Sequence, residues 1–179
     1  QVKLPRLISD GMVLQRNMEL KIWGWAAPNE SITVTFNKKT YNTKADVNGD
    51  WQVKLSPTKE AGPFEMKIDA SNHLVIKDIL VGDVWVCSGQ SNMELTMERV
   101  KEKYRSVIAN STNTAIRQFL VPDKYDFKNP QKDLESGNWI SASPTNLFSF
   151  SAVAYFFAKE INEKYNVPIG LINSALGGS

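Results

Sequence analysis

The segment VGDVWVCSGQSNMEL, residues 81–95, carries the clearest structural signal in the chain. Its first half is an apolar run, typical of a buried strand, and it stops at the small and polar residues 88–91. Apolar residues at helical spacing begin directly afterwards. The segment therefore predicts a strand, a sharp turn and a helix. Open α/β sheets bind their ligands beyond the carboxyl ends of strands, at junctions of this kind.

Ser91 stands on the predicted turn and is the candidate nucleophile. A hydroxyl held there lies beside a helix N-terminus, which favours the negative charge that develops during acyl transfer. Ser91 followed three residues later by Glu94 also fits a capping box, in which the serine only begins the helix. A serine can serve both purposes, so the local sequence leaves both roles open.

Four stretches of the sequence form a pattern that spans nearly the whole chain. They are residues 10–16 (DGMVLQR), 83–93 (DVWVCSGQSNM), 150–158 (FSAVAYFFA) and 167–174 (VPIGLINS), the last followed by Gly177 and Gly178. In this order they resemble the sialate O-acetylesterase family, a branch of the SGNH (GDSL-like) hydrolases. The resemblance implies a serine esterase that removes acetyl groups from sugar hydroxyls through an acyl-Ser91 intermediate. Its partner would be an acetylated sugar or glycan.

The oxyanion hole implied by the resemblance uses the backbone N–H groups of Ser91 and of a glycine, Gly177 or Gly178. Glycine lets a backbone approach the substrate without interference from a Cβ atom, although paired glycines also fit an ordinary turn. Residues 175–176 are Ala-Leu, where the family commonly has Ser-Trp, and this departure affects the expected pocket wall.

The general base is the missing part of the predicted site. His73 is the only histidine, and it lies among strand residues upstream of Ser91, where an ordinary strand or loop role is favoured. In the resembling family the base follows in an Asp-x-x-His block far downstream, and this block is absent here. We therefore expect an N-terminal portion of an esterase, inactive alone, whose base comes from a missing C-terminal segment or a second polypeptide.

The first 79 residues predict a β-sandwich, because short stretches of alternating apolar and polar residues are separated by turn signals. These stretches are residues 19–22, 32–36, 51–55 and 64–68, with a strong hairpin signal at Asn48-Gly49. The resemblance implies a jelly-roll-like form of this domain. Three tryptophans, Trp23, Trp25 and Trp51, would either fill its core or form a platform for sugar rings.

Residues 80–179 predict the N-terminal part of a three-layer α/β SGNH-hydrolase domain. The expected elements are the strand at 81–88, one amphipathic helix carrying Met93, Met97, Val100 and Tyr104, a strand at 115–121, a surface loop at 123–139, a helix at 151–165 and a strand at 169–173. We expect the strands to form a parallel sheet. Three strands are fewer than the five or so of a complete sheet.

Composition excludes several classes of function. The 179 residues carry a formal net charge of +2, which predicts neither a nucleic-acid surface nor a membrane-binding face. No apolar run approaches the ~20 residues of a membrane span. The single cysteine, Cys87, is expected to be inert packing, and no nucleotide loop or metal-ligand cluster appears, so no cofactor and no metal are expected. The resemblance implies a secreted or periplasmic enzyme.

Two other functions remain open on the sequence. One is a non-catalytic glycan-binding module in which the tryptophans of the β-sandwich bind sugar, and the other is an acetylxylan esterase, which shares the nucleophile block. A carboxylate pair for glycoside hydrolysis, Asp83 with Glu94, is disfavoured because acids this close in sequence are common.

Overall fold

A computed structural model describes residues 1–59, 61–126 and 128–178. Its strands are β1 (Val13–Gln15), β2 (Leu20–Trp25), β3 (Ser31–Phe36), β4 (Lys39–Lys44), β5 (Asp50–Leu55), β6 (Phe64–Asp69), β7 (His73–Cys87), β8 (Asn113–Leu120), β9 (Trp139–Ala142) and β10 (Ile169–Asn173). Its helices are α1 (Ser91–Glu94), α2 (Met97–Val100), α3 (Arg105–Ala109) and α4 (Ala152–Tyr165), with a 3₁₀ turn at Asn146–Ser149. The structure is β-rich, as expected.

One long path of strands connects most of the molecule. Its order is β4-β3-β6-β7-β10-β8-β9, while β1 pairs with β7 and β2 pairs separately with β5. The neighbours from β4 to β7 are antiparallel. Strand β10 runs parallel to both β7 and β8 and lies between them, so the expected parallel sheet is present.

Strand β7 belongs to both parts of this path. It is 15 residues long. Its first part pairs with β6, from Asp69 opposite His73 to Phe64 opposite Ile79. Its last part pairs with β10 as far as Cys87. The predicted domain boundary at residue 79 therefore falls inside one continuous strand, and the division into 1–79 and 80–179 stays a prediction.

Two clusters of buried apolar side chains stabilise the two halves. The first gathers β1 to β7 and also takes in Phe119 and Trp139 from the second half. The second packs Cys87, Met97 and the inner face of α4 against β8 and β10. Each large side chain buried in this way contributes about 1.5–3 kcal/mol to folding. Because Phe119 and Trp139 join the first cluster, the two halves share packing as well as a strand.

Arg117 on β8 forms hydrogen bonds that connect the second half of the chain to the first. Its side chain is 4% exposed, and its Nη1 donates to the carbonyl oxygens of Gly11 (2.7 Å) and Asp78 (2.5 Å). Nη2 donates to the Asp78 carboxylate (2.9 Å), and Nε donates to the Thr114 carbonyl (2.9 Å). A buried guanidinium is tolerated here because its N–H groups are paired.

Helix α4 packs through small residues. Ser151 caps its N-terminus by accepting a hydrogen bond from the N–H of Ala154 (3.2 Å), and Asn166 ends it in the left-handed conformation at φ 50°. The buried face includes Ala154, Tyr155 and Ala158. The apolar residues spaced four apart, Val153, Phe157, Ile161 and Tyr165, predict a different buried face, but Val153, Phe157 and Tyr165 are exposed. Alanines allow the helix backbone to approach the sheet closely.

Three expectations about local structure were wrong. The single amphipathic helix after Ser91 is broken into α1, α2 and α3, although Met97 and Ile108 are still buried. Strand β4 was not expected, because its sequence KTYNTK has few apolar residues. Trp139, placed at the end of a surface loop, is buried at the start of β9. Phe127 of that loop lies outside the described residues.

None of the helices in the described ranges is long and apolar enough to cross a bilayer.

Candidate active site

The turn after β7 presents Ser91 to solvent. Strand β7 ends at Cys87, and α1 begins at Ser91, which is exposed. The residue that caps α1 is Gln90, and its side chain makes no capping hydrogen bond. The capping-box interpretation of Ser91 was therefore wrong, because Ser91 is the first residue of the helix rather than its cap. The N–H of a first helical residue has no partner within the helix.

A second turn, residues 174–178, follows β10 and lies against the first one. The ends of these neighbouring parallel strands meet at the same edge of the sheet. The N–H of Ser174 donates to the carbonyl of Cys87 (2.9 Å), and the N–H of Leu176 donates to the carbonyl of Gly89 (3.0 Å). The structure thus brings Ser91 and the two predicted glycines together, although 86 residues separate Ser91 from Gly177 in the chain.

Glu94 links helix α1 to the glycine turn. Its Oε2 accepts a hydrogen bond from the backbone N–H of Gly177 at 2.9 Å. A Cβ atom on Gly177 would lie 2.3 Å from that oxygen and 3.5 Å from the Cα of Ser91. A larger residue at position 177 would force the Glu94 carboxylate to move, and the same distances show how closely the second turn approaches the serine.

Gly178 faces open space. It is exposed, its φ of 78° lies in the left-handed region, and a Cβ built on it would meet no atom within 4 Å. The backbone of Gly178 is therefore accessible to an approaching group.

A cavity of about 360 Å³ opens beside the serine. It is lined by Ser91, Glu94, Leu95, Thr96 and Arg99. A larger cavity of about 520 Å³ lies elsewhere, near Ile108 and Phe148, and among the residues that the structure describes no serine or histidine lines it. The cavity beside Ser91 is therefore the candidate site, because it contains the candidate nucleophile.

His73 does not reach the serine. It lies at the other end of β7, which is 15 residues long. At about 3.3 Å per residue, the two ends of such a strand are tens of ångströms apart. The ring Nδ1 of His73 lies 2.5 Å from the Asp69 carboxylate, and both side chains are exposed. The ordinary role favoured by the sequence agrees with this position.

Replacing His73 with alanine should therefore leave ester hydrolysis unchanged within about twofold, because an exposed surface ion pair contributes little to structure and the ring is remote from Ser91. The measurement is kcat/KM of the full-length protein on an aryl acetate. A loss of more than about tenfold would contradict the assignment of the base to another segment.

The two carboxylates near the turn have separate partners. Asp83 accepts hydrogen bonds from Arg16 Nε (2.9 Å) and Nη2 (3.1 Å), whereas Glu94 binds Gly177. Each of the two carboxylates therefore accepts hydrogen bonds from a different group. The arrangement does not support a carboxylate pair for glycoside hydrolysis.

Cys87 is buried at the end of β7, and burial raises the pKa of its thiol. A thiol held in the protonated form is a poor nucleophile, so Cys87 acts as packing. In the part of the chain that the structure describes, His, Cys, Asp and Glu side chains form no group of three or more that could hold a metal ion.

The three tryptophans of the first half do not form one exposed platform. Trp51 is 4% exposed and belongs to the core, whereas Trp23 is 37% exposed. Trp25 has the ammonium of Lys132 over its ring at 5.4 Å. Sugar rings usually stack on open aromatic faces, and only Trp23 offers such a face to a large extent.

Sequence reasoning missed two residues of the site. Glu94 was interpreted only as a capping partner or as one of a carboxylate pair with Asp83. Its contact with Gly177 joins residues too far apart in sequence to be inferred from spacing. Arg99 also lines the Ser91 cavity. Arg99 stands eight residues after Ser91, about two helical turns, so one continuous helix would place both on similar sides. The break between α1 and α2 interrupts this spacing.

Comparison with known proteins identifies the class. The family described as carbohydrate esterase, sialic acid-specific acetylesterase, matches residues 81–179, more than half of the chain. The chain belongs to this family of hydrolases. The resemblance on which the sequence analysis rests is thereby confirmed.

Individual relatives agree with the family. The sialate O-acetylesterases of Homo sapiens and Mus musculus are each 31% identical over 96% of this chain. A crystal structure of a carbohydrate acetylesterase from Xanthomonas citri is 40% identical, superimposes with a TM-score of 0.95 and covers 100% of the chain. The chain spans 36% of the length of the human protein and 41% of the Xanthomonas chain.

Proposed function

We propose that this chain is the nucleophile-bearing part of a carbohydrate O-acetylesterase, which removes acetyl groups from sugar hydroxyls. The observation that carries the proposal is the pair of turns at the ends of β7 and β10. They place exposed Ser91 next to Gly177 and Gly178, at the edge of a cavity. A nucleophile and backbone donors held on adjacent strands are two of the components that acyl transfer requires.

The proposed reaction has two steps. The Oγ of Ser91 attacks the acetyl carbonyl carbon while a general base accepts its proton, and the carbonyl oxygen becomes an oxyanion. The oxyanion collapses, the bond to the sugar oxygen breaks, and the sugar leaves with that proton. Water then attacks the acetyl-Ser91 ester, which releases acetate and restores the serine.

The oxyanion donors that we propose are the N–H groups of Ser91 and Gly178. The N–H of Gly177 was also expected to contribute, but it already donates to Glu94 at 2.9 Å. Gly178 is exposed at the same turn, and the N–H of Ser91 begins a helix, so both are suited to a negative charge.

We also propose that the base and its acidic partner come from outside residues 1–179. The only histidine, His73, is bound to Asp69 at the far end of β7. The curated relatives are nearly three times as long as the matched part. In this proposal residues 1–79 form a jelly-roll-like β-sandwich, residues 80–179 form part of an SGNH-hydrolase domain, and the protein is secreted or periplasmic.

The proposal about the base is tested by comparing the chain alone with the full-length protein on an aryl acetate. We expect the chain alone to be slower by several orders of magnitude, because a serine without its base keeps only residual catalysis. A matched sample of the chain mixed with the remaining segment, expressed separately, should recover part of the rate. Equal turnover by the chain alone and the full-length protein would contradict the proposal.

The acetylated sugar is identified by a substrate panel. O-acetylated sialic acid and acetylated xylan oligosaccharides separate the two esterase alternatives, and released acetate is the measurement. Binding of plain sugar near Trp23 without any acetate release from the full-length protein would instead support the glycan-binding module.

A further inference from the structure

We propose that Glu94 is a positioning residue, which holds the Gly177–Gly178 turn in place for the oxyanion formed at Ser91. This inference rests on the proposed esterase function. Neither the sequence motif nor the geometry of the two turns by itself assigns this role to Glu94.

The contacts between the two turns lead to this role. Two backbone hydrogen bonds, Ser174 to Cys87 and Leu176 to Gly89, fix the first part of the second turn. A further hydrogen bond joins the N–H of Gly177 to the carboxylate of Glu94 at 2.9 Å. The glycine end of the turn is therefore held to α1 by this side chain.

Gly178 depends on this contact for its place. It is exposed, and no atom lies within 4 Å of the position that a Cβ would occupy. Packing therefore does little to fix it, and a glycine has more backbone freedom than any other residue. Because Gly177 precedes it directly, the hydrogen bond to Glu94 restricts the peptide that carries the Gly178 N–H.

The position of Glu94 suits this purpose. It is three residues after Ser91, so it lies on the same side of α1 as the serine. It is half-buried, and its carboxylate makes a charge-assisted hydrogen bond, which is stronger and shorter than a neutral one. Glu94 thus connects the helix of the nucleophile with the turn of the proposed oxyanion donor, and their relative position depends on it.

The consequence concerns the rate of the chemical step rather than binding. Displacing an oxyanion donor lowers kcat by about 10²–10³-fold, and a misplacement of about 1 Å far from the reacting atoms can cost about 10²-fold. The oxyanion forms on the carbonyl that all acetyl esters share. The loss should therefore be the same for every substrate.

The test uses two variants of the full-length protein. Glu94→Gln keeps an oxygen that accepts the Gly177 N–H, and we expect its kcat to stay within about fivefold of the parent. Glu94→Met has a similar length but no such acceptor, and we expect kcat to fall by about 10²-fold with KM nearly unchanged. The factor should be equal for an aryl acetate and for an acetylated sugar. Glu98→Met is the matched control, since Glu98 is exposed and pairs with Lys101.

A second measurement does not depend on activity. Amide hydrogen exchange of the peptide that contains Gly177 and Gly178, followed by mass spectrometry of the full-length protein, should accelerate in Glu94→Met and not in Glu94→Gln or Glu98→Met. If Glu94→Met does not fold, Gly177→Ala breaks the same contact from the other side, because its Cβ would lie 2.3 Å from Glu94 Oε2.

The inference is overturned if Glu94→Met keeps its kcat, if Glu94→Gln loses as much as Glu94→Met, or if only KM changes. Unchanged amide exchange in Glu94→Met overturns it as well. Failure of the esterase proposal looks different, because then the variant Ser91→Ala would keep its activity whatever happens at Glu94.

Discussion

Ser91→Ala should abolish ester hydrolysis by the full-length protein, with a fall in kcat of roughly 10⁵-fold or more. Without the hydroxyl no acyl intermediate can form, and the oxyanion donors and substrate binding retain only residual catalysis. The exposed position of Ser91 at the start of α1 means that removing its Oγ leaves no buried polar partner unpaired. The fold should therefore remain intact. The measurement is acetate release from an aryl acetate and from an acetylated sugar, with thermal unfolding measured in parallel.

Ser88→Ala provides the matched control, because Ser88 is an exposed serine of the same turn. We expect this variant to keep its kcat within about threefold, since Ser88 lies outside the proposed reaction. Mass spectrometry of the rapidly quenched parent should show acetyl added to the peptide that contains Ser91. Activity of Ser91→Ala close to that of the parent would exclude Ser91 as the nucleophile.

Arg117→Met should lower the free energy of unfolding by about 3 kcal/mol or more. Methionine fills similar space, but it leaves the carbonyl oxygens of Gly11, Asp78 and Thr114 without the donors they now have. Hydrogen bonds to charged groups contribute about 1.5–3 kcal/mol each, and these three are partly buried. The Asp78 carboxylate is 61% exposed, so water can replace the guanidinium there. Denaturant unfolding of the chain gives the value.

The control for Arg117 is Arg105→Met. The side chain of Arg105 is 76% exposed and pairs with Glu102, and exposed pairs contribute about 0–1 kcal/mol. A difference of less than about 1 kcal/mol between the two variants would mean that the buried contacts of Arg117 do not hold the halves together.

Local sequence patterns predicted several elements of the second half. The part of β7 from residue 81 onward, β8 and β10 each have an apolar run, and α4 has helical spacing and a clear end signal, although the apolar residues at that spacing are largely exposed. The family resemblance likewise rests on local motifs, which include Ser91 and the glycines. These features depend on residues close together in the chain.

The features that were not predicted depend on tertiary contacts. Strand β4 forms because β3 supplies its hydrogen-bond partner, despite a sequence with little apolar content. The helix after Ser91 breaks at Leu95 and Thr96, where Thr96 forms an isolated bridge with Ser151. The contact between Glu94 and Gly177 likewise needs β7 and β10 to be neighbours. Hydrophobic periodicity and residue propensity do not predict these tertiary contacts.

Strand β7 is continuous, so one uninterrupted strand joins the first half of the protein to the second. The same peptide backbone that pairs with β6 near His73 runs on to Cys87, the last residue of the strand before the nucleophile turn. Removing the first half would remove the pairing with β6 that holds the N-terminal part of β7 in place. Chimaeras that exchange the amino-terminal half between family members would therefore have to be joined within β7, and the junction would disturb the strand that leads to Ser91.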